Sequence, residues 1–114
     1  MKNQDPPVYR ASYELSITIL RFARDLPDKY RSNLSLILQS KTIEMQDLVY
    51  RINDKADKSE AISQVLSRAY FIRMTLRLFL DLGIMKSEAN MIINMKIDDL
   101  IFQLSSWKKS LNSV

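Results

Sequence analysis

Arg73 and Arg77 stand one helical turn apart inside the apolar stretch "YFIRMTLRLFLDLG", residues 70–83. Guanidiniums at this spacing can grip phosphates or pair with carboxylates, and buried arginine without a partner is rare. Other reactive chemistry is sparse. The chain has no His and no Cys, which removes the usual base–nucleophile pairs, thiolate metal sites and disulfides. Di-iron bundles need Glu-x-x-His pairs, and phosphate-cradling loops need clustered glycines; Gly83 is the one glycine. Asp98 and Asp99 are adjacent, so on a helix they diverge by about 100°. They suit a solvated face or an arginine partner better than an acid/base pair. The expectation is a chain without catalysis, cofactor, metal or small-molecule substrate.

Composition sets the frame for these residues. The 114 residues fit one domain spanning 1–114, with residues 1–7 expected as a disordered tail and 111–114 as a frayed end. An apolar content of 46% is enough for a core, and one Gly with three Pro favours long helices over turn-rich β structure. The net charge of +4, from 17 basic and 13 acidic residues, is compatible with an anionic partner. "MKNQDPPVYR" lacks the apolar core of a signal peptide. No apolar run approaches the roughly 20 residues that span a bilayer. With no cysteine, these features lead us to expect a cytoplasmic protein that does not enter membranes.

Breakers divide the chain into four helical segments. Asp25 and Pro27 in "LPDKY" stop the first, and Asp28 can cap the second. Asn53, Asp54 and Asp57 in "NDKADKSE" supply turn and cap chemistry before the third. Gly83 suits a left-handed position after the third, and Ser87 an N-cap for the fourth. Short connections between long helices predict an all-α fold, an antiparallel up-down-up-down four-helix bundle.

Periodicity supports that fold. The first helix carries Val8, Leu15, Ile19, Phe22 and Leu26; the second Leu34, Leu38, Lys41, Met45, Leu48 and Ile52. The third carries Ile62, Val65, Ala69, Ile72, Leu76 and Phe79; the fourth Ile93, Ile97, Leu100, Leu104, Trp107 and Leu111. From Leu15 on, these step by alternating threes and fours, the seam of a bundle. Lys41 is foreign to its seam. Either its stem packs while the amine snorkels, which is favoured, or it pairs with a carboxylate.

Every helix carries further apolar residues off that seam. They are Tyr13, Ile17 and Leu20; Leu36, Ile43 and Tyr50; Phe71, Met74 and Leu78; and Met91, Met95 and Phe102. A wide core stripe with scattered exposed residues is one reading. Periodic large side chains favour the other, a subunit interface, for which Leu36, Ile43, Tyr50, Phe71, Met74, Leu78, Met91, Met95 and Phe102 are the candidates.

The charges collect where the first–second and third–fourth connections share an end. Arg21, Arg24, Lys29, Arg31, Arg73, Arg77 and Lys86 lie toward it, with Asp25, Asp28, Asp81 and Glu88. Measured from Arg68, the third-helix seam falls at about 20–100°, Arg73 and Arg77 at about 140–180°, and Phe71, Met74 and Leu78 at about 240–300°. The arginines therefore form a ridge between two apolar stripes. It is either solvated, with Arg77 paired to Asp81 at i,i+4, or a surface for phosphates.

Three motifs carry a family resemblance: "LPDKYR" opening the second helix, "IRMTLRLFLDLG" closing the third and "LSSWKK" near the end of the fourth. In order and spacing, over about residues 13–110, the chain resembles the Avd-like four-helix-bundle proteins. These include the accessory variability determinant of diversity-generating retroelements and the small proteins encoded in intervening sequences of bacterial large-subunit ribosomal RNA. "YRINDKAD" stands where the ribosomal branch has an "NIAEG"-like run, which points to the retroelement branch. The resemblance implies a homopentamer that binds a reverse transcriptase and nucleic acid, template RNA or cDNA, in support of mutagenic retrohoming, without catalysis of its own. Arg73 and Arg77 match the family's arginine pair and Trp107 its tryptophan. Arg68, Arg21, Arg24, Lys29 and Arg31 complete the expected cationic set. The alternative is an intervening-sequence-type or purely protein-binding bundle that never meets nucleic acid.

Overall fold

A computed structural model describes residues 7–112. The expected tail therefore lies outside the described residues except for Pro7, which opens the first helix; of the expected frayed end, Leu111 closes the last helix and residues 113–114 lie outside. The described chain is all helical: α1 Pro7–Arg24, α2 Asp28–Arg31, α3 Leu34–Arg51, α4 Lys58–Asp81 and α5 Ser87–Leu111, with a 3-10 turn at Ile52–Asp54. No described helix is long and apolar enough to cross a membrane.

Local chemistry sets the boundaries. Asp57 caps α4 by accepting from the Glu60 amide at 3.0 Å, which satisfies one of the unpaired N–H groups of the first turn. Gly83 has φ +76° after α4. Its amide donates to the Leu80 carbonyl, and the Ile84 amide donates to the Phe79 carbonyl at 2.9 Å. That pair of bonds is a Schellman end, and it needs the left-handed residue that glycine supplies.

Two expected caps are corrected. Asp28 is the first residue of α2 and pairs with Arg31 at 3.3 Å, while Pro27 holds the cap position. Ser87 is likewise the first residue of α5, behind Lys86, and no side chain caps that end. "LPDKYR" also does not open the second long helix. The turn α2 intervenes, and Asn33 joins the two pieces: its side-chain Nδ2 donates to the Lys29 carbonyl at 3.0 Å, and its side-chain oxygen accepts from the Leu34 amide.

One core runs through the four long helices. α1 packs on α3 and α5, and α4 packs on α3 and α5. Every expected seam residue of α4 is buried. So are Val8, Leu15 and Ile19 from α1, Leu26 just after it, and Ile93, Ile97, Leu100 and Leu104 from α5, whereas the expected seam residues Phe22 and Trp107 are half-buried and Leu111 is exposed. The α3 seam needs correction. Its buried positions are Ser35, Leu38, Thr42, Met45, Val49 and Ile52, which again alternate threes and fours. Thr42, not Lys41, occupies the seam. The Thr42 hydroxyl donates to the Leu38 carbonyl at 2.7 Å and the Ser35 hydroxyl to the Ala23 carbonyl at 2.8 Å. Both hydroxyls enter the core satisfied, so burial costs them little.

Candidate interaction surface

Phe22 and Phe79 lie with ring centroids 6.5 Å apart, which brings the ends of α1 and α4 together. The cations of "LPDKYR" and the arginines of α4 therefore sit toward the same end. That end is charged but not purely basic. Arg24 pairs with Asp25 at 3.0 Å, and this bond holds the Asp25 carboxyl below its ordinary range. Arg31 donates from Nε to the Leu26 carbonyl at 3.4 Å, and the Lys29 amine stands 5.1 Å from the centre of the Tyr30 ring. Arg21 is exposed on the last turn of α1.

The arginine ridge of α4 has a partner for each guanidinium. Arg73 reaches across to Asp98 of α5. Arg77 donates from Nε to both oxygens of Asp81, each at 3.2 Å. Two carboxylates against two guanidiniums leave the ridge without the net positive charge that its sequence suggests. Both pairs face water, where such bonds contribute only about 0–1 kcal/mol. They orient the arginines without locking them. The adjacency of Asp98 and Asp99 is resolved in favour of an arginine partner: Asp98 takes Arg73, and Asp99 accepts from the Gln103 amide at 3.1 Å.

Arg68 stands apart from that ridge, toward α3. It donates to Glu44 at 2.7 Å, and Glu44 also takes the Lys41 amine at 3.4 Å. The Lys41 amine lies 5.3 Å from the centre of the Phe71 ring. Lys41 is therefore paired with a carboxylate and an aromatic face, not snorkelling from the core. The Arg68 hydrogen bond is the main reason the Glu44 carboxyl falls below its ordinary range; partial burial opposes it, and the charges of Arg68 and Lys41 add to it. Arg68 is thus taken up by the α3–α4 contact, whereas Arg73 and Arg77 serve the opposite side of α4.

The second apolar set faces outward. Leu36, Ile43, Tyr50, Phe71, Met74, Leu78, Met91, Met95 and Phe102 are all exposed, from 37% at Phe71 to 71% at Phe102. Tyr13 is exposed with them, while Ile17 and Leu20 are half-buried. Ile37, Tyr70, Leu82 and Ile92 add exposed apolar area outside the periodic stripes. Tyr70 is the notable addition. It is 51% exposed on the arginine side of α4, three residues before Arg73 and four before Met74.

Trp107 belongs to a different feature. With Pro7, Val8, Asn53, Phe102, Gln103 and Ser106 it lines an open groove of about 360 Å³. No charged side chain is among these lining residues, so the groove has no means to attract phosphate. Among the described residues no three acidic side chains converge as a metal site requires. Neither a scan of protein-family models nor a search of curated proteins returns a match for this chain.

Proposed function

We propose that this chain is a non-enzymatic accessory of a retroelement reverse transcriptase, acting as a cytoplasmic homo-oligomer, a pentamer in the Avd-like reading. It binds the enzyme and RNA or DNA through the arginine side of α4. The observation that carries this reading is the pairing of surfaces on α4. Exposed Phe71, Met74 and Leu78 run beside the ridge of half-buried Arg73 and exposed Arg77. Exposed apolar stripes of this size suit a protein partner. A ridge repeated in each subunit presents its arginines in a ring, where phosphates would compete with Asp98 and Asp81 for their guanidiniums.

The subunit in this proposal is an antiparallel up-down-up-down bundle. Support comes from bonds that run in opposite chain order. Between α1 and α3 with its following 3-10 turn they join Tyr9 to Asn53, Ser16 to Gln46 and Ala23 to Ser35. Between α4 and α5 they join Ser63 to Lys108, Arg73 to Asp98 and Leu76 to Asn90. The short dimensions of 25 and 20 Å each correspond to two helix diameters, as a two-by-two bundle requires.

Titration of labelled RNA and DNA at several salt concentrations tests the nucleic-acid part. Affinity falls steeply with salt. The double substitution Arg73→Ala, Arg77→Ala flattens that dependence by about 0.7 in slope for each single-strand phosphate the protein no longer grips. A chain that binds neither polymer at low salt removes this reading. It leaves the second, a protein-interaction bundle that never meets nucleic acid, which the carboxylate partners of Arg73 and Arg77 favour. Sedimentation at micromolar concentration tests the assembly. A single-chain mass there removes the interface assigned to the outer stripes.

A further inference from the structure

Tyr70 precedes Arg73 by three residues and Arg77 by seven. On α4 the three side chains occupy about 60° of arc and about 10 Å of axis, a strip between the Arg73–Asp98 contact and the apolar residues Phe71, Met74 and Leu78. Tyr70 is half-exposed, and among the described residues no hydrogen bond, ring contact or ion pair engages it. Tyr9 packs against Tyr50 with ring centroids 5.6 Å apart and accepts from Asn53, and Tyr30 lies under Lys29; Tyr13 on α1 is exposed like Tyr70, but only Tyr70 stands beside the arginine pair. The two guanidiniums beside Tyr70 keep donors in reserve. Arg77 engages Asp81 through Nε alone and Arg73 engages Asp98 through one terminal nitrogen, and each guanidinium carries five N–H donors.

An unoccupied ring with two part-used guanidiniums close by matches the unit that holds unpaired strands, an aromatic platform for a base and cations for its flanking phosphates. A duplex offers the same phosphates, but its base faces are stacked on one another and closed to an intact helix surface. We infer that Tyr70, Arg73 and Arg77 form a contact selective for single-stranded nucleic acid, with the Tyr70 ring stacking on a base. The inference rests on the nucleic-acid reading above and specifies the form of the polymer and the residue that senses it.

Fluorescence anisotropy with three probes separates the two: a labelled 20-nucleotide strand, the same sequence as a duplex, and labelled polyphosphate, which has charge but no bases. The strand binds more tightly than the duplex. Tyr70→Ala weakens strand binding by about tenfold and leaves polyphosphate binding and the sedimentation profile unchanged, while Tyr70→Phe retains strand binding because the ring remains. Equal strand affinity in Tyr70→Ala and the parent overturns the inference. So does an equal loss on all three probes, or a Tyr70→Ala protein with altered sedimentation, because the ring would then serve the fold or the subunit contact. Failure of the parent protein to bind any probe at low salt sinks the nucleic-acid reading itself. Binding without a Tyr70 effect sinks only the stacking assignment.

Discussion

The two faces of α4 are built from similar residues and do opposite things. Ile72, Leu76 and Phe79 are buried, while Phe71, Met74 and Leu78, as large and as apolar, stand in water. The separation is angular. A three-and-four step keeps the first set on the bundle axis, and about 80–160° of rotation carries the second set away from it. The apolar character of a residue therefore says nothing here about its burial. Its phase does.

Substitutions on the two faces test this directly. Leu76→Ala lowers unfolding stability by about 2–5 kcal/mol in denaturant titration, because it opens a cavity in the close-packed core. Leu78→Ala, measured where sedimentation gives a single chain, costs less than about 1 kcal/mol. Equal costs break the division into inner and outer faces.

Next in size is the end of α4. A Cβ added at Gly83 meets nothing within 4 Å, so a substitution there acts through its φ of +76° alone. Gly83→Ala costs about 1 kcal/mol in thermal or chemical melts, and Gly83→Asn costs less because asparagine tolerates the left-handed region. A cost well above that for alanine shows a packing role for this turn.

The contact of α4 with α3 gives a pH signature. Arg68 lowers the Glu44 carboxyl in the fold, so around pH 4 the folded chain binds fewer protons there than the unfolded chain. Stability from this group is present above the ordinary glutamate range and is lost as pH falls through the lowered value. Glu44→Gln removes that dependence, seen as a smaller drop in melting temperature from pH 5 to pH 3. An unchanged drop assigns the acid sensitivity to other carboxylates.

The smallest effect belongs to the ridge. Arg77→Ala removes only the exposed i,i+4 pair with Asp81 and changes stability by a few tenths of a kcal/mol. A loss above about 1 kcal/mol makes that arginine structural and takes it out of the interaction surface.

The legibility of the chain followed the same contrast. The α4 seam could be read with only Ala61 and Thr75 missed, because its large buried positions are all apolar. The α3 seam could be read only in part, because Ser35 and Thr42 stand in it and satisfy their hydroxyls on backbone carbonyls. With two seam positions polar, the reading fell one residue early, onto Leu34, Lys41 and Leu48 in place of Ser35, Thr42 and Val49. Asp57 and Gly83 were legible as helix ends, since capping is local. Asn33 was not, because its role depends on the turn that α2 makes. The pair Arg77–Asp81 was legible from its spacing of four. Arg73–Asp98 and Arg68–Glu44, 25 and 24 residues apart, were not.

The sequence by itself determined the helical class, most of the core stripes of α1, α4 and α5, the absence of His and Cys, and the separation of a second apolar set from the core seam. These follow from composition and from the 3.6-residue period, which act within one helix. Tertiary structure alone decided which carboxylates Arg68 and Arg73 meet, that Lys41 leaves the core to Thr42, and that Tyr70 stands unengaged beside the arginine pair. Those depend on which helix lies next to which, and on the rotation of each against its neighbour, which no single helix encodes.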